Sequence, residues 1–130
     1  MNFVRLYYKK YYYSYRDSSN IEMNILGLFF SNVGCDGRTF FKDWALAGQD
    51  GDTCGGNCTI LEIENDDVLL SDEYSIEAVP TKLRMTRAQF VQLFDEWQEY
   101  VCKTQPKEVV IKHEHGHFFI ETSDLKWENQ

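Results

Sequence analysis

Two cysteines and three histidines are the residues whose types and spacing come nearest to a metal or redox site. Cys54 and Cys58 lie in the glycine-rich stretch GQDGDTCGGNC, with three residues between them. Three histidines alternate in the later stretch KHEHGH: His113, His115 and His117. Zinc is held by four Cys or His ligands, so these residues together offer enough donors for a small zinc- or redox-binding domain. The other interpretation places the histidines in solvent beside a polar hairpin turn, and we therefore predict no metal and no cofactor.

The same glycine-rich stretch, Gly48 to Cys58, does not fit a calcium or phosphate loop. Asp50 and Asp52 would occupy the first and third ligand positions of a calcium loop, but Cys54 and Leu61 fall at the fifth and twelfth. Neither of these side chains supplies the oxygen that Ca²⁺ requires. The stretch also lacks the Gly-Lys-Ser/Thr ending of a phosphate-binding loop. We predict an exposed, conformationally permissive loop.

Motifs of hydrolytic enzymes are missing from the sequence. There is no G-x-S-x-G elbow and no H-E-x-x-H pair. A nucleophilic pair could be assembled from Cys35 or Cys102 and a histidine, but several cysteines and histidines form such pairs by chance. We therefore expect no catalytic residues and no enzymatic activity.

Length and charge limit the classes of function. The 130 residues, 43% hydrophobic and 15% aromatic, predict a single domain over residues 1–130 with a real core. The net charge is −8 and the isoelectric point is about 4.8. Such a surface repels phosphates, so nucleic-acid binding is not expected. It attracts and steers a basic partner instead.

No targeting or membrane segment is evident in the sequence. The start, MNFVRLYYKKYYYSY, lacks the apolar region of a secretory signal, and the run Ile25–Phe30 is too short to cross a bilayer. We predict a cytoplasmic protein with no membrane partner. Thiols stay reduced in that compartment. All four cysteines are therefore expected to be free: Cys35, Cys54, Cys58 and Cys102.

The strongest secondary-structure signal is a helix from about Arg87 to Lys103. Thr86 and Gln89 match a capping box at its start, and Pro106 follows its end. Large apolar side chains recur at helical spacing along it: Phe90, Leu93, Phe94, Trp97 and Val101. This stripe predicts a helix that buries one face against the rest of the protein.

The remaining patterns predict strands. A long strand over residues 3–15 is expected to pair with a second over residues 21–30, with a bulge at Gly27. RTFFKDWAL fits a strand or a short helix. TILEI and VLLSDEYSI predict a hairpin around Glu64–Asp67, and EVVIKHEHGHFFIET another near His115–Gly116. The fold class is thus α+β, a mostly antiparallel sheet with one long amphipathic helix packed on one face.

The N-terminal strand is rich in tyrosine: Tyr7, Tyr8, Tyr11, Tyr12, Tyr13 and Tyr15. Tyrosine rings can cover the edge of a sheet. They can also form an interface, because tyrosine offers a large contact area at small entropic cost. A structural adaptor using this strand is therefore a further interpretation.

The second half of the chain resembles a known family. MTRAQFVQLFDEWQEYVCKTQPKEVVIKHEHGHFFIET is similar to small immunity proteins of bacterial polymorphic toxin and contact-dependent growth inhibition systems, and the resemblance covers about residues 59–123. The resemblance implies a cytoplasmic, non-enzymatic antitoxin that binds one cognate toxin domain one-to-one. Such toxins are often nucleases, which are usually basic, and an acidic inhibitor can mimic their phosphates.

Acidic residues in predicted turns are the candidate contacts with such a toxin. They lie in the glycine-rich loop, in the hairpin turn predicted around Glu64–Asp67 and in the segment after that turn: Asp50, Asp52, Asp66, Asp67, Asp72 and Glu73. Carboxylates at these positions would face the cations of a basic partner. The alternative for each of them is an ordinary solvated surface.

Overall fold

The structure, a computed structural model, describes residues 2–35, 40–56 and 58–124. The strands are Asn2–Lys9 (β1), Tyr12–Ser18 (β2), Thr53–Gly56 (β3), Thr59–Glu64 (β4), Asp67–Asp72 (β5), Lys82–Thr86 (β6), Glu108–Glu114 (β7) and His117–Ser123 (β8). The helices are Ile21–Val33 (α1), Phe40–Ala47 (α2) and Arg87–Glu96 (α3), and α3 continues as a π-helix, the π segment, over Trp97–Cys102. Among these residues, no helix is long and apolar enough to cross a membrane.

The strands form two antiparallel sheets, and the fold is α+β as predicted. Sheet A has the order β2-β1-β7-β8, and sheet B has the order β3-β4-β5-β6. Helix α1 contacts strands of both sheets, and α3 contacts β8 of sheet A and β6 of sheet B. The hydrophobic core is a cluster that contains buried residues of both sheets and of these helices. The expectation of one sheet with one long helix is not confirmed.

The capped helix is where the sequence places it. The Thr86 hydroxyl accepts from the Gln89 backbone N–H at 3.0 Å, and the Gln89 side chain accepts from the Thr86 N–H at 2.8 Å. Both halves of the capping box are therefore formed. The five residues of the apolar stripe are all buried. The two hairpins predicted around Glu64–Asp67 and His115–Gly116 are also confirmed, as β4–β5 and β7–β8.

The first two predicted strands are wrong. The first is a hairpin, β1 and β2, which turns at Lys10 with φ of 68°. The second is helix α1, which begins after Asn20, whose side chain accepts a hydrogen bond from the Met23 N–H. The stretch SNVGCDG, residues 31–37, has the composition of a loop and is expected to form one, but α1 continues through Val33. Residues 36–37 of this stretch lie outside the described part. RTFFKDWAL takes its helical alternative over the described residues of α2.

Gly27 marks a close approach of helix to sheet and not a bulge. It is buried in α1, and a β-carbon there would lie 2.5 Å from Cγ2 of Val4 in β1. Val4 is itself fully buried. Any larger side chain at Gly27 would therefore push α1 away from β1.

Replacing Gly27 with alanine is expected to lower the free energy of unfolding by about 1–3 kcal/mol, as overpacking of cores does. The steric clash opposes the gain in helix propensity, which is about 1 kcal/mol. Urea unfolding followed by circular dichroism measures the difference. Adding Val4→Ala should recover part of the loss. Gly55→Ala is the control, because a β-carbon there would meet nothing within 4 Å.

The prediction of four free thiols is wrong for two of the cysteines. Cys35 and Cys102 form a disulfide, with Cα atoms 5.5 Å apart. Cys35 directly follows Gly34, the C-cap of α1, and Cys102 ends the π segment. The packing of these two helix ends brings together cysteines 67 residues apart. Cys54 and Cys58 are free.

Candidate protein-binding surface

Four of the six acidic candidates lie at one end of sheet B. Asp66 lies in the β4–β5 turn, and Asp67 is the first residue of β5. The loop before β3 lies beside that turn, because the Gly51 N–H donates to the Ile63 carbonyl at 2.8 Å. The Ile63 N–H in turn donates to the Asp52 carbonyl at 2.9 Å. The structure therefore groups Asp50 and Asp52 with the turn, as an exposed acidic edge.

Most of these carboxylates already have partners within the chain. Asp52 accepts from the Gln49 N–H at 2.8 Å and so closes its own turn. Asp66 pairs with Arg87 at 2.8 Å, and Asp67 pairs with Arg84 at 3.0 Å. The hydrogen bond that Arg84 donates to Asp67 is the largest cause of the raised pKa of Arg84. Only the Asp50 side chain among these four has no recorded partner in the described part of the chain.

Asp72 and Glu73 lie at the opposite end of sheet B. β5 runs from Asp67 to Asp72, which separates its ends by about 17 Å at the usual rise of a strand. The Asp72 carboxylate accepts from the Tyr74 N–H at 2.9 Å, whereas no partner of the Glu73 carboxylate is recorded among the described residues. The six candidates therefore form two separate acidic groups and not one site.

A loop after β5 presents a different surface. Residues 73–81, here called the β5–β6 loop, connect β5 to β6 without regular secondary structure. Three of its apolar side chains are exposed: Tyr74 at 71%, Ile76 at 101% and Val79 at 84%. The same loop carries two acidic residues, Glu73 and Glu77, and both are exposed. Three exposed apolar side chains within one short loop make it a candidate binding surface.

Hydrogen bonds within the β5–β6 loop define its shape. The Glu73 N–H donates to the Cys58 carbonyl at 3.0 Å, which ties the start of the loop to the residue before β4. The Glu77 N–H donates to the Ser75 hydroxyl at 3.2 Å, and the Thr81 hydroxyl donates to the Glu77 carboxylate at 3.3 Å. A loop ordered in advance loses less conformational entropy when it binds.

Sequence reasoning found the acidic start of this loop and missed its apolar side chains. Tyr74 and Ile76 alternate with polar residues, which extended the predicted strand VLLSDEYSI as far as Ile76. The strand ends at Asp72, because its carboxylate caps the turn that follows. Asp72 before this turn, and Pro80 just before β6, are the signals that mark the loop.

The alternative zinc or redox site is not assembled. Cys54 lies in β3 and Cys58 just before β4 of sheet B, whereas the three histidines lie in the β7–β8 hairpin of sheet A. His113 stacks on Phe118 with ring centroids 4.0 Å apart, while His115 and His117 are exposed. Burial raises the pKa of the Cys54 thiol to about 11, which disfavours the thiolate that binds metals or attacks disulfides. Nowhere in the described chain do three Cys, His, Asp or Glu side chains form a metal-binding group.

The tyrosines of the first hairpin divide between core and surface. Tyr13 is buried against Trp97, and its hydroxyl donates to the Pro106 carbonyl. Burial raises the pKa of Tyr13 well above its usual range. Tyr11 and Tyr12 are exposed at the tip of the hairpin. Tyr13 thus belongs to the core, and an interface formed by the exposed tyrosines stays a prediction.

An open groove of about 790 Å³ lies between α2 and the helix formed by α3 and the π segment. Its lining includes Leu46 and Tyr100, both exposed, together with charged side chains. Two of its carboxylates are paired, Asp95 with Lys42 at 2.9 Å and Glu99 with Lys103 at 2.7 Å. Its third carboxylate, that of Glu96, accepts from the Ile120 N–H at 3.2 Å.

Comparisons of the chain with known protein families, with curated proteins and with solved structures found no match.

Proposed function

We propose that this protein is an immunity protein, which binds a basic toxin domain one-to-one and neutralises it. The observation that supports this most is the β5–β6 loop, where Tyr74, Ile76 and Val79 are exposed among carboxylates. Exposed apolar side chains inside a polar rim have the composition of a binding hot spot. The loop therefore supplies the contacts, and the acidic surface selects the partner.

The apolar and the acidic side chains have different roles in this proposal. Tyr74 and Ile76 lose their contact with water in the complex, which stabilises it and slows dissociation. Glu73 and Glu77, with the net charge of −8, speed up the encounter with a basic surface. Asp50 and the rest of the acidic edge act at longer range, because most of those carboxylates are held by partners of their own.

A nuclease domain is the toxin that fits this surface best. Nucleases bind phosphates with Lys and Arg side chains, and carboxylates of an inhibitor occupy the same cations. The protein itself needs no cofactor, no catalysis and no nucleic-acid partner in this function.

A cytoplasmic location is part of the proposal. The Cys35–Cys102 disulfide is an observation against that location, because such bonds are rare in a reducing cytoplasm.

Truncating the loop is expected to weaken toxin binding. The double substitution Tyr74→Ala/Ile76→Ala should lower the affinity by about 30-fold or more, mainly through faster dissociation. Glu73→Lys/Glu77→Lys should instead slow association, most strongly at low salt. We expect a neighbouring gene to encode the toxin domain, and surface plasmon resonance against that domain separates the two rates. Leu46→Ala is the matched control, because Leu46 is also an exposed apolar residue, but on α2.

Co-expression tests the function itself. Cells that produce the neighbouring toxin should survive when this protein is present and should lose that protection with the Tyr74→Ala/Ile76→Ala variant. The proposal is wrong if cells die as they do without the protein and the purified pair forms no complex at low salt.

A further inference from the structure

The tip of the first hairpin is basic and aromatic on an otherwise acidic protein. Lys9 and Lys10 are exposed, and neither forms an ion pair within the described part of the chain. Tyr11 is 81% exposed and Tyr12 is 52% exposed. The Lys10 ammonium lies 5.5 Å from the centre of the Tyr11 ring. Residues 9–12, here called the hairpin tip, thus combine free cations with exposed rings.

The hairpin tip is the chemical complement of the β5–β6 loop. The loop offers the carboxylates of Glu73 and Glu77 to the two ammonium groups. It also offers Ile76, whose side chain is fully exposed, to the tyrosine rings. Charge and apolar surface are therefore matched between two parts of the same chain.

Both surfaces adjoin the C-terminal half of α1. The Ser31 hydroxyl donates to the Tyr13 carbonyl in β2 at 2.7 Å, just after the hairpin tip. The next residue, Asn32, accepts from the Cys58 thiol at 3.7 Å, and the Cys58 carbonyl accepts from Glu73 in the loop. Neighbouring residues of one helix thus connect to the hairpin on one side and to the loop on the other.

We propose that two copies of this chain associate about a two-fold axis, with the hairpin tip of each against the β5–β6 loop of the other. Two-fold symmetry makes the two contacts identical, and it closes the assembly at a dimer. In each contact Lys9 and Lys10 face Glu73 and Glu77, while Tyr11 and Tyr12 cover the apolar side chains. The dimer covers the exposed apolar loop while no other partner is bound.

This inference rests on the two surfaces and not on the proposed toxin. Because the toxin and the second copy would both use the β5–β6 loop, they compete for it. A toxin complex should therefore contain one copy of this chain, and the dimer should be observed only without toxin.

Sedimentation equilibrium of the purified protein tests the dimer. At low salt and rising concentration the mass should approach twice 15.3 kDa, and high salt should return it towards the monomer, because exposed ion pairs are screened. Lys9→Glu/Lys10→Glu and Glu73→Lys/Glu77→Lys should each raise the dissociation constant on the order of 100-fold, since each places like charges together. Circular dichroism verifies that the variants fold.

A mixture of the two variants is the decisive measurement. In a two-fold dimer of one variant with the other, both contacts again join opposite charges, so dimerisation should return to near its original strength. Glu22→Lys is the control, because Glu22 is exposed in the first turn of α1, outside both surfaces, and should leave the dimer unchanged. A protein that stays monomeric at low salt, a mass beyond the dimer, or a mixture that stays monomeric would each overturn the inference.

Discussion

Replacing Trp97 with alanine is expected to lower the free energy of unfolding by about 3–5 kcal/mol, as truncation of large buried aromatic residues does. Trp97 is fully buried, and its ring lies 4.7 Å from Phe30 and 5.6 Å from Tyr13. The substitution therefore leaves a cavity where α1, β2 and the π segment meet. Urea unfolding followed by far-ultraviolet circular dichroism measures the loss.

The indole N–H of Trp97 adds a second contribution. It donates to the Gly34 carbonyl at 2.8 Å, at the C-cap of α1. Trp97→Phe keeps an aromatic ring but removes this donor, so it should cost less than alanine, though still about 1–3 kcal/mol. A loss below about 1 kcal/mol for Trp97→Ala would mean that the apolar stripe is not packed as described.

Removing the Cys35–Cys102 disulfide is expected to lower the free energy of unfolding by about 4 kcal/mol. The bond joins residues 67 apart, and the entropy of closing a loop of that length in the unfolded chain gives this magnitude. The double substitution Cys35→Ser/Cys102→Ser, compared with the parent protein under non-reducing conditions, measures it. Cys54→Ser/Cys58→Ser is the matched control, because both of those thiols are free.

A thiol count shows whether the bond forms. Protein purified without reductant and then denatured should titrate two thiols, those of Cys54 and Cys58. Four thiols would contradict the disulfide. The same count on cells treated with an alkylating agent before lysis tests the proposed location, because a reducing cytoplasm would leave all four free.

The sequence predicts those elements whose signals are local. The helix formed by α3 and the π segment has a capping box and an apolar stripe on one face. Both signals lie within about sixteen consecutive residues, which is the window over which helical periodicity is detected. The β4–β5 and β7–β8 hairpins have alternating residues on both sides of polar turns. In these segments propensity, pattern and turn chemistry all favour the same structure.

Helix α1 could not be predicted in the same way, because it packs against both sheets. Six of its 13 residues are buried, including the neighbours Leu26, Gly27, Phe29 and Phe30, and only its first two residues are exposed. A helix that is apolar on most sides has no clear apolar stripe. Its apolar residues alternate with others and shift by one position at Gly27, which resembles a strand with a bulge. The signal that identifies it is Asn20, an N-cap residue directly before the apolar run.

Only part of the candidate surface could be predicted from the sequence, and the reason differs from the one given for α1. The sequence identifies acidic turns, but ion pairs with residues of β6 and α3 decide which carboxylates are free. Asp66 and Asp67 are held by Arg87 and Arg84, which lie about twenty residues further along the chain. The disulfide and the exposed side chain of Ile76 likewise depend on tertiary packing, which spacing alone does not give.

The strand order of sheet A has a consequence for biosynthesis. Sheet B uses four consecutive strands, so it can form as soon as β6 has left the ribosome. Sheet A cannot form at that stage, because its central strands, β1 and β7, pair Leu6 with Val109, and β7 is synthesised much later. Closing so long a loop is slow, and meanwhile the inner edge of β1 stays open to other nascent chains. Lys9, at the end of this edge, discourages such pairing until the sheet is complete.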